Sequence, residues 1–244
     1  LTKAGAAVST ANAGDDGLLL SSPMDVAELP HFADGWASVQ DISAQCAGAL
    51  LAPKEGERIL DACAAPGGKA CHLLEIQPAL KELIAMDISE SRMQRIQENC
   101  DRLGLRTTML IADASKPPAE LLPESLDAIL ADVPCSATGV MRRNPDIKIL
   151  RQAGDIASFT SQQLAILKGL WPLLKPGGRL LYVTCSLLEQ ENDSVIETFN
   201  LANDCTVENI SLAQGLATKK GWQLLPHKTG GDGLFFSLIR KPKT

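Results

Sequence analysis

The sequence predicts an α/β fold, a doubly wound and mostly parallel sheet covered by helices on both faces. Three observations predict it. Apolar runs of strand length alternate with helix-length stretches, the runs end in Asp or in turn residues, and a turn of small residues follows the first run and opens onto a helix. A chain of 244 residues that is 45% hydrophobic can bury a core for one domain of this class, with room for a small appendage.

Residues 1–22 are rich in Ala, Gly, Ser and Thr and hold few large apolar groups, so they read as a loop or a remnant of another region. The expected division is 1–30 as remnant or linker and 31–244 as the working domain. From about Val39 the pattern is regular. Candidate strands are Arg58–Ala62, Leu83–Asp87, Thr108–Ala112, Ala128–Asp132 and Arg179–Thr184; candidate helices are Lys69–Ile76, Glu90–Leu103, Thr160–Leu174 and Glu191–Leu201. Lys175-Pro176-Gly177-Gly178 reads as a helix stop and a turn before the fifth strand. Trp222–Leu225 and Leu234–Ile239 read as two late strands joined by the loop Gly230-Gly231-Asp232-Gly233, so that a late antiparallel strand completes the sheet.

No run reaches the eighteen or so apolar residues of a membrane span. The chain opens on Leu1 without a basic segment followed by an apolar one, which suggests a fragment rather than a signal peptide. Seven cysteines, odd in number and never spaced C-x-x-C, suit a reducing cytoplasm and argue against structural zinc; no metal is expected. A net charge of −6 leaves any nucleic-acid contact to local basic patches or to protein outside this chain.

After the first strand comes Asp61-Ala-Cys-Ala-Ala-Pro-Gly-Gly-Lys69. Small residues there let backbone N–H groups and the positive end of a helix approach an anion or carboxylate. A phosphate-binding P-loop would need Gly at Cys63 and Ser or Thr at Ala70, and the dinucleotide spacing G-x-G-x-x-G is absent. Asp87 ends the second strand, where a carboxylate can accept from both ribose hydroxyls, and Asp113, after the third, can meet an adenine amino group. Strand-end Asp residues can also merely cap helices.

The fourth strand runs into Asp132-Val133-Pro134-Cys135-Ser136 and the fifth into Thr184-Cys185-Ser186. If these strands are neighbours, their ends lie roughly 5 Å apart, with both cysteines at the ligand-binding rim. The remaining five cysteines read as small buried hydrophobes. A pair of thiols suits methylation at carbon 5 of cytosine: a thiolate adding to carbon 6 makes carbon 5 nucleophilic, and a second group assists removal of the carbon 5 proton and release of the thiol. Chemistry alone does not say which cysteine attacks. Asp132 could bond the cytosine edge or the methionine end of a methyl donor, and both roles stay open.

The strings DACAAPGGK, DVPCSATGVMRRNPDIK and TCSLLEQEN resemble the cofactor and catalytic motifs of bacterial small-subunit ribosomal RNA cytosine-5 methyltransferases of the Fmu/Sun type. FADGWASVQDISAQ and DGLFFSLIRK are similar to that family's preceding segment and closing strand, so the likeness covers about residues 20–240. It implies a Rossmann-like class I methyltransferase fold, S-adenosylmethionine as cofactor and ribosomal RNA as partner. It also implies a cofactor site of Cys63, Ala64, Ala65, Pro66, Gly67, Gly68, Lys69, Asp87, Asp113 and Asp132. By the same resemblance Cys185 is the nucleophile and Cys135 assists release. The sequence departs from the family at Ala70, usually Thr, and at Ala137, often Gly, and it lacks the family's amino-terminal helical RNA-binding domain. Arg142 and Arg143, with Lys148 and Arg151 beyond, form the basic patch expected to meet RNA phosphates. Two other readings compete: a methyltransferase on a small molecule, protein or another RNA such as tRNA, and a non-catalytic RNA-binding or ribosome-assembly module.

Overall fold

The computed structural model describes residues 7–10, 17–226 and 230–243. A short hairpin, β1 (Val8–Thr10) with β2 (Leu18–Leu20), comes first, where the sequence suggested a loop. The core elements follow in order: α1 (Ile42–Leu51), β3 (Arg58–Ala62), α2 (Gly68–Ile76), β4 (Glu82–Asp87), α3 (Glu90–Leu103), β5 (Thr108–Ile111), β6 (Leu126–Asp132), α4 (Ile147–Leu150), α5 (Ala153–Leu170), β7 (Leu174–Thr184) and α6 (Asp193–Ala202). The chain ends with β8 (Thr206–Glu208), β9 (Leu216–Ala217), β10 (Trp222–Gln223) and β11 (Phe235–Arg240). No helix among the described residues is long and apolar enough to cross a membrane.

The strands form one sheet in the order β5-β4-β3-β6-β7-β11-β10-β9, with β8 also on β11. The pairs from β5 to β7 are parallel and β11 runs antiparallel to β7, as the sequence led us to expect. Parallel strands read as continuous apolar runs because both faces are covered, and alternate residues here enter separate cores. Leu60, Ile129 and Tyr182 pack with Leu167 and Phe199 of α5 and α6; Ile59, Leu130 and Leu181 pack with Leu51, Leu73 and Ile96 of α1, α2 and α3. On α3 the buried residues Met93, Ile96 and Cys100 fall on one stripe, and Gly104 closes the helix with a left-handed φ of 67°.

Several boundaries depart from the sequence reading. Lys175–Gly178 lies inside β7 as a bulge: Leu174 pairs with Leu126 and Arg179 with Ala128, so the intervening residues loop out, and Gly177, at φ 75°, donates to the carbonyls of Lys241 and Pro242. The helix expected over Thr160–Leu174 starts at Ala153, where Gln152 and Asp155 form a capping box, and stops at Leu170 ahead of Pro172. The last helix begins at Asp193 rather than Glu191. The apolar run Ile42–Leu51 is a helix that the sequence reading did not single out; the Asp41 carboxylate accepts from the Ser43 N–H to cap it.

The far end of α1 is fastened by Arg179, which is buried. Its guanidinium donates to the carbonyls of Leu51 and Ala52 and, through Nη1 and Nη2, to both oxygens of Glu57 at 2.7 and 2.6 Å. Burial pushes the Glu57 carboxyl up, and the bonds from Arg179 more than reverse it, leaving it below its ordinary value. Arg179→Ala should therefore destabilise the protein by about 3–5 kcal/mol, because it strands a carboxylate and two carbonyls. Urea unfolding measures this; a loss under 1 kcal/mol would show that water replaces the guanidinium without penalty.

Candidate active site

The strand order reverses between β3 and β6, since β4 and β5 extend the sheet one way and β7 the other. Such a switch point opens a crevice at the carboxyl ends of the strands. The loop Cys63–Lys69 leaves β3 there. Cys63 and Gly67 have φ of 64° and 100°, and a Cβ on Gly67 would press on the backbone of Ile96 at 3.1 Å, so glycine is required for α2 to start against α3. The loop is stitched to the end of β4: Ala64 N–H donates to the Met86 carbonyl at 2.9 Å and Ala65 N–H to Asp87 Oδ2 at 3.1 Å. Ala64, Ala65 and Gly67 are buried, while Pro66 and Gly68 are exposed.

Asp87 is buried, and its Oδ1 accepts from Ser89 N–H at 3.0 Å with Arg92 at 3.6 Å. Each carboxylate oxygen keeps room for a further donor. Asp113, beyond β5, is exposed; bonds from Ser115 hold its carboxyl below the ordinary range. The large aliphatics Ile88 and Ile111 stand exposed beside these acids, a feature that strand patterning does not reveal.

Asp61, the last-but-one residue of β3, was not singled out as a site residue from the sequence. It is wholly buried and neither of its oxygens accepts a hydrogen bond. Burial above all, then the Asp132 charge, pushes its carboxyl up to about 8, against the pull of Lys69. Lys69, from the first turn of α2, donates to Asp132 Oδ2 at 2.6 Å; burial pushes its ammonium down, and the two aspartates outweigh that. The signal in the sequence was positional: Asp61, Asp87 and Asp132 all stand where a strand ends.

β6 and β7 are neighbours, with Asp132 paired to Val183, and the two cysteines beyond them meet with sulfurs 3.4 Å apart. They are not equivalent. The hydrogen bond shared with Cys135 lowers the Cys185 thiol, with help from Lys69 and against burial and Asp132; the same bond, then burial, pushes Cys135 well above its ordinary value. Of the two sulfurs, Cys185 is thus the more readily ionised.

The loop after Cys135 is held by its neighbours. Gly139 N–H donates to the Cys185 carbonyl at 2.8 Å and Gly233 N–H to the Gly139 carbonyl at 2.9 Å. A Cβ on Gly139 would lie 1.9 Å from the Gly233 carbonyl oxygen. Arg143 grips the buried Asp232 with Nε and Nη2, while Arg142 reaches Asp232 only at 3.9 Å. Lys148 is exposed, and Arg151 donates to the Ser136 carbonyl at 2.9 Å.

A family profile described as "16S rRNA methyltransferase RsmB/F" matches residues 48–240. The chain belongs to this family. It is 48% identical over 234 residues to Ribosomal RNA small subunit methyltransferase B of Shewanella oneidensis, covering 96% of this chain and 54% of that protein. With the protein of the same name from Pseudomonas syringae it shares 44% over 248 residues, 99% and 55% of the two. The chain spans about half the length of the curated relatives it matches. Among solved structures, a methyltransferase homolog protein from Pyrococcus horikoshii superposes with a TM-score of 0.85 at 28% identity, over 98% of this chain and 80% of that one. NSun6 from the same organism, solved with SFG, gives 0.80 at 30%, over 93% and 60%. The fold is the Rossmann-like one of S-adenosylmethionine-dependent methyltransferases, as the motifs implied.

The donor set of this RsmB/F chain fits that cofactor. Its loop of small residues leaves space beside backbone, Asp87 has free acceptor capacity, and the orphaned Asp61 can receive a primary ammonium. If Asp61 is that acceptor, its carboxyl, at about 8 when free, must ionise as the cofactor binds, so binding releases a proton below that pH and strengthens as pH rises toward it. Calorimetry in two buffers of different ionisation enthalpy reads the released proton. Asp61→Asn should abolish the release and weaken binding roughly ten- to hundredfold, the worth of one charge-assisted bond; equal proton release in mutant and wild type would assign it to another group.

Proposed function

We propose that this chain transfers a methyl group from S-adenosylmethionine to carbon 5 of a cytosine in small-subunit ribosomal RNA, through a covalent bond between Cys185 and the base. Residues 31–244 form the catalytic domain, with 1–30 as a linker. The observation that carries the reading is the 3.4 Å contact of two inequivalent cysteine sulfurs beside Lys69 and Asp132. A methyltransferase acting on a nucleophilic nitrogen or oxygen has no use for such a pair.

In this reading Cys63–Lys69, Asp87, Asp113 and Asp132 line the cofactor site, Asp87 taking the ribose hydroxyls and Asp113 the adenine amino group between Ile88 and Ile111. Bound S-adenosylmethionine supplies an electrophilic methyl group. The Cys185 thiolate adds to carbon 6 of cytosine, the carbon 5–carbon 6 π electrons become available at carbon 5, and carbon 5 takes the methyl as the methyl–sulfur bond breaks, its electron pair staying with the departing thioether. Then the carbon 5 proton passes to a water at the mouth of the cleft, its bonding pair re-forms the double bond, and the Cys185–carbon 6 bond breaks with sulfur departing as thiolate. Cys135, in contact with that sulfur, assists this breakdown. The ammonium of Lys69 lies near Cys185 and favours its thiolate at the start and at the end.

Arg142 and Arg143 divide their work. Arg143 neutralises the buried Asp232 and shapes the loop, and Arg142 is the freer cation for phosphate. Arg142→Ala should lower the slope of log affinity for RNA against log salt by about 0.7, one phosphate contact to a single strand, and leave cofactor binding unchanged. An unaltered slope would make the patch a solvated surface.

The two cysteines should have opposite phenotypes. Cys135→Ala incubated with small-subunit rRNA and cofactor should accumulate a protein–RNA complex that survives denaturing electrophoresis, because the adduct forms and persists. Cys185→Ser should give neither complex nor methylated product. A stable complex from Cys185→Ser alone would reverse the assignment, and complexes from neither would remove support for covalent catalysis.

A further inference from the structure

The turn Ser186–Asn192, between β7 and α6, holds a carboxylate shielded completely from water, that of Glu191. Its Oε1 accepts from the backbone N–H of Ser136 at 2.8 Å and from Gln163 Nε2 at 3.2 Å. Its Oε2 accepts from the hydroxyls of Ser136 and Ser186, each at 2.5 Å. No Lys, Arg or His among the described residues pairs with it. Ser136 follows Cys135 in the chain and Ser186 follows Cys185.

We propose that Glu191 is the positioning residue of the cysteine pair, a buried anion that clamps the residues following both sulfurs and makes the two thiols unequal. The proposal rests on the covalent reading given above and deepens it. The clamp is geometric first. Cys135 and Cys185 stand on loops that leave different strands, and three of the four bonds to Glu191 run to the serines next to them. Asn192 adds a second stitch within the turn, accepting from Thr184 Oγ1 at 2.6 Å and donating to the Ser186 carbonyl at 3.0 Å.

Geometry alone would not need a charge. A glutamine of the same shape could satisfy rotatable serine hydroxyls, but the groups that meet this carboxyl are an N–H, an amide NH2 and two hydroxyls, a setting of donors that suits an acceptor-only carboxylate, and such a group brings a field as well as a shape. Glu191 is bonded to the peptide N–H just after Cys135, and its charge adds to the bond with Cys185 and burial in keeping the Cys135 proton in place. Lys69 acts on Cys185 in the opposite sense. Beside Cys185 the Lys69 charge is opposed by Asp132, so the charge behind Cys135 is the one that sets the two sulfurs apart and favours Cys185 as the first to ionise.

The test is alkylation of this chain by iodoacetamide across a pH series, with peptide mass mapping to follow Cys135 and Cys185 separately. In the wild type Cys185 should react first. Glu191→Gln keeps the shape and removes the charge; Cys135 should then react at lower pH, and the preference for Cys185 should shrink by about tenfold. A purely structural role would change the unfolding midpoint and leave that preference and its pH profile as in the wild type, which would overturn the proposal. The paired change Ser136→Ala with Ser186→Ala tests the clamp with the charge retained, and it carries the test if Glu191→Gln does not fold. Diamide, which oxidises two thiols to a disulfide as it is reduced, should link Cys135 to Cys185 about tenfold more slowly in this variant, since thiol exchange depends on access and approach. An unchanged rate would mean the sulfurs are positioned by something else. Neither assay uses RNA, so failure of the clamp is read separately from any failure to methylate.

Discussion

Lys69 is the buried cation at the centre of a crowd of anions, and the arrangement of the site depends on it. Asp61 and Asp132 leave neighbouring strands at the same edge, Asp87 closes the next, and Cys185, the more readily ionised thiol, stands beside them. Charges so close in a medium of low dielectric would repel by several kcal/mol. The bond from Lys69 to Asp132 relieves part of this, and the rise of the Asp61 carboxyl to about 8 relieves another part by keeping it protonated near neutrality. Lys69 comes from the first turn of α2, so the glycine that lets α2 start against α3 also delivers the cation. The left-handed turn at Gly67 is thereby an electrostatic device as well as a steric one.

Around that centre the loops are interlocked. The Asp41 carboxylate caps α1 and accepts from Asp232 N–H; Ser43 donates to the Asp232 carbonyl; Arg143 grips the Asp232 side chain; Gly233 meets Gly139, which meets Cys185. Segments near residues 41, 139, 185 and 232 thus share one network. Its members are buried or half-buried, where a lost partner leaves an unpaired polar group, so the network fixes one arrangement of the mouth. Catalytic loops on a parallel sheet are otherwise the parts freest to move.

The sequence reading reached the elements that carry period and punctuation. β3, β4, β6 and the regular part of β7 are apolar runs with an Asp or Thr at or next to their ends, and their order was legible because each is followed by a helical stripe. The bulge at Lys175–Gly178 was not, because a Pro-Gly-Gly turn reads the same whether it precedes a strand or interrupts one; only pairing of Leu174 with Leu126 decides. α1 was missed because its apolar residues run nearly all round the helix, which hides the period. At the site, the motifs brought Cys63–Lys69, Asp87, Asp132 and both cysteines to notice. Asp61 escaped as a functional group, since its lack of partners is a fact of burial that spacing cannot show. Glu191 escaped too, since its bonds to Ser136 and Gln163 span 55 and 28 residues of chain. The bond of Arg143 to Asp232 joins positions 89 residues apart, so a patch that reads as two equal cations is one structural and one freer.

The formal charge of −6 poses a question for a site proposed to meet RNA. Among the described residues five acidic side chains, Asp61, Asp87, Glu191, Asp193 and Asp232, are buried against one basic one, Arg179. Asp61 is largely protonated at neutral pH, and Asp232 is matched by Arg143. At physiological salt, fields fade over about 8 Å, so a phosphate at the mouth responds to the side chains nearest it rather than to the sum over the chain. Arg142, Lys148 and Arg151 stand exposed on the segment that runs from Cys135 into α4 and α5. A net charge read from composition therefore counts acids that are buried, protonated or already paired, and does not describe the surface that a nucleic acid would meet.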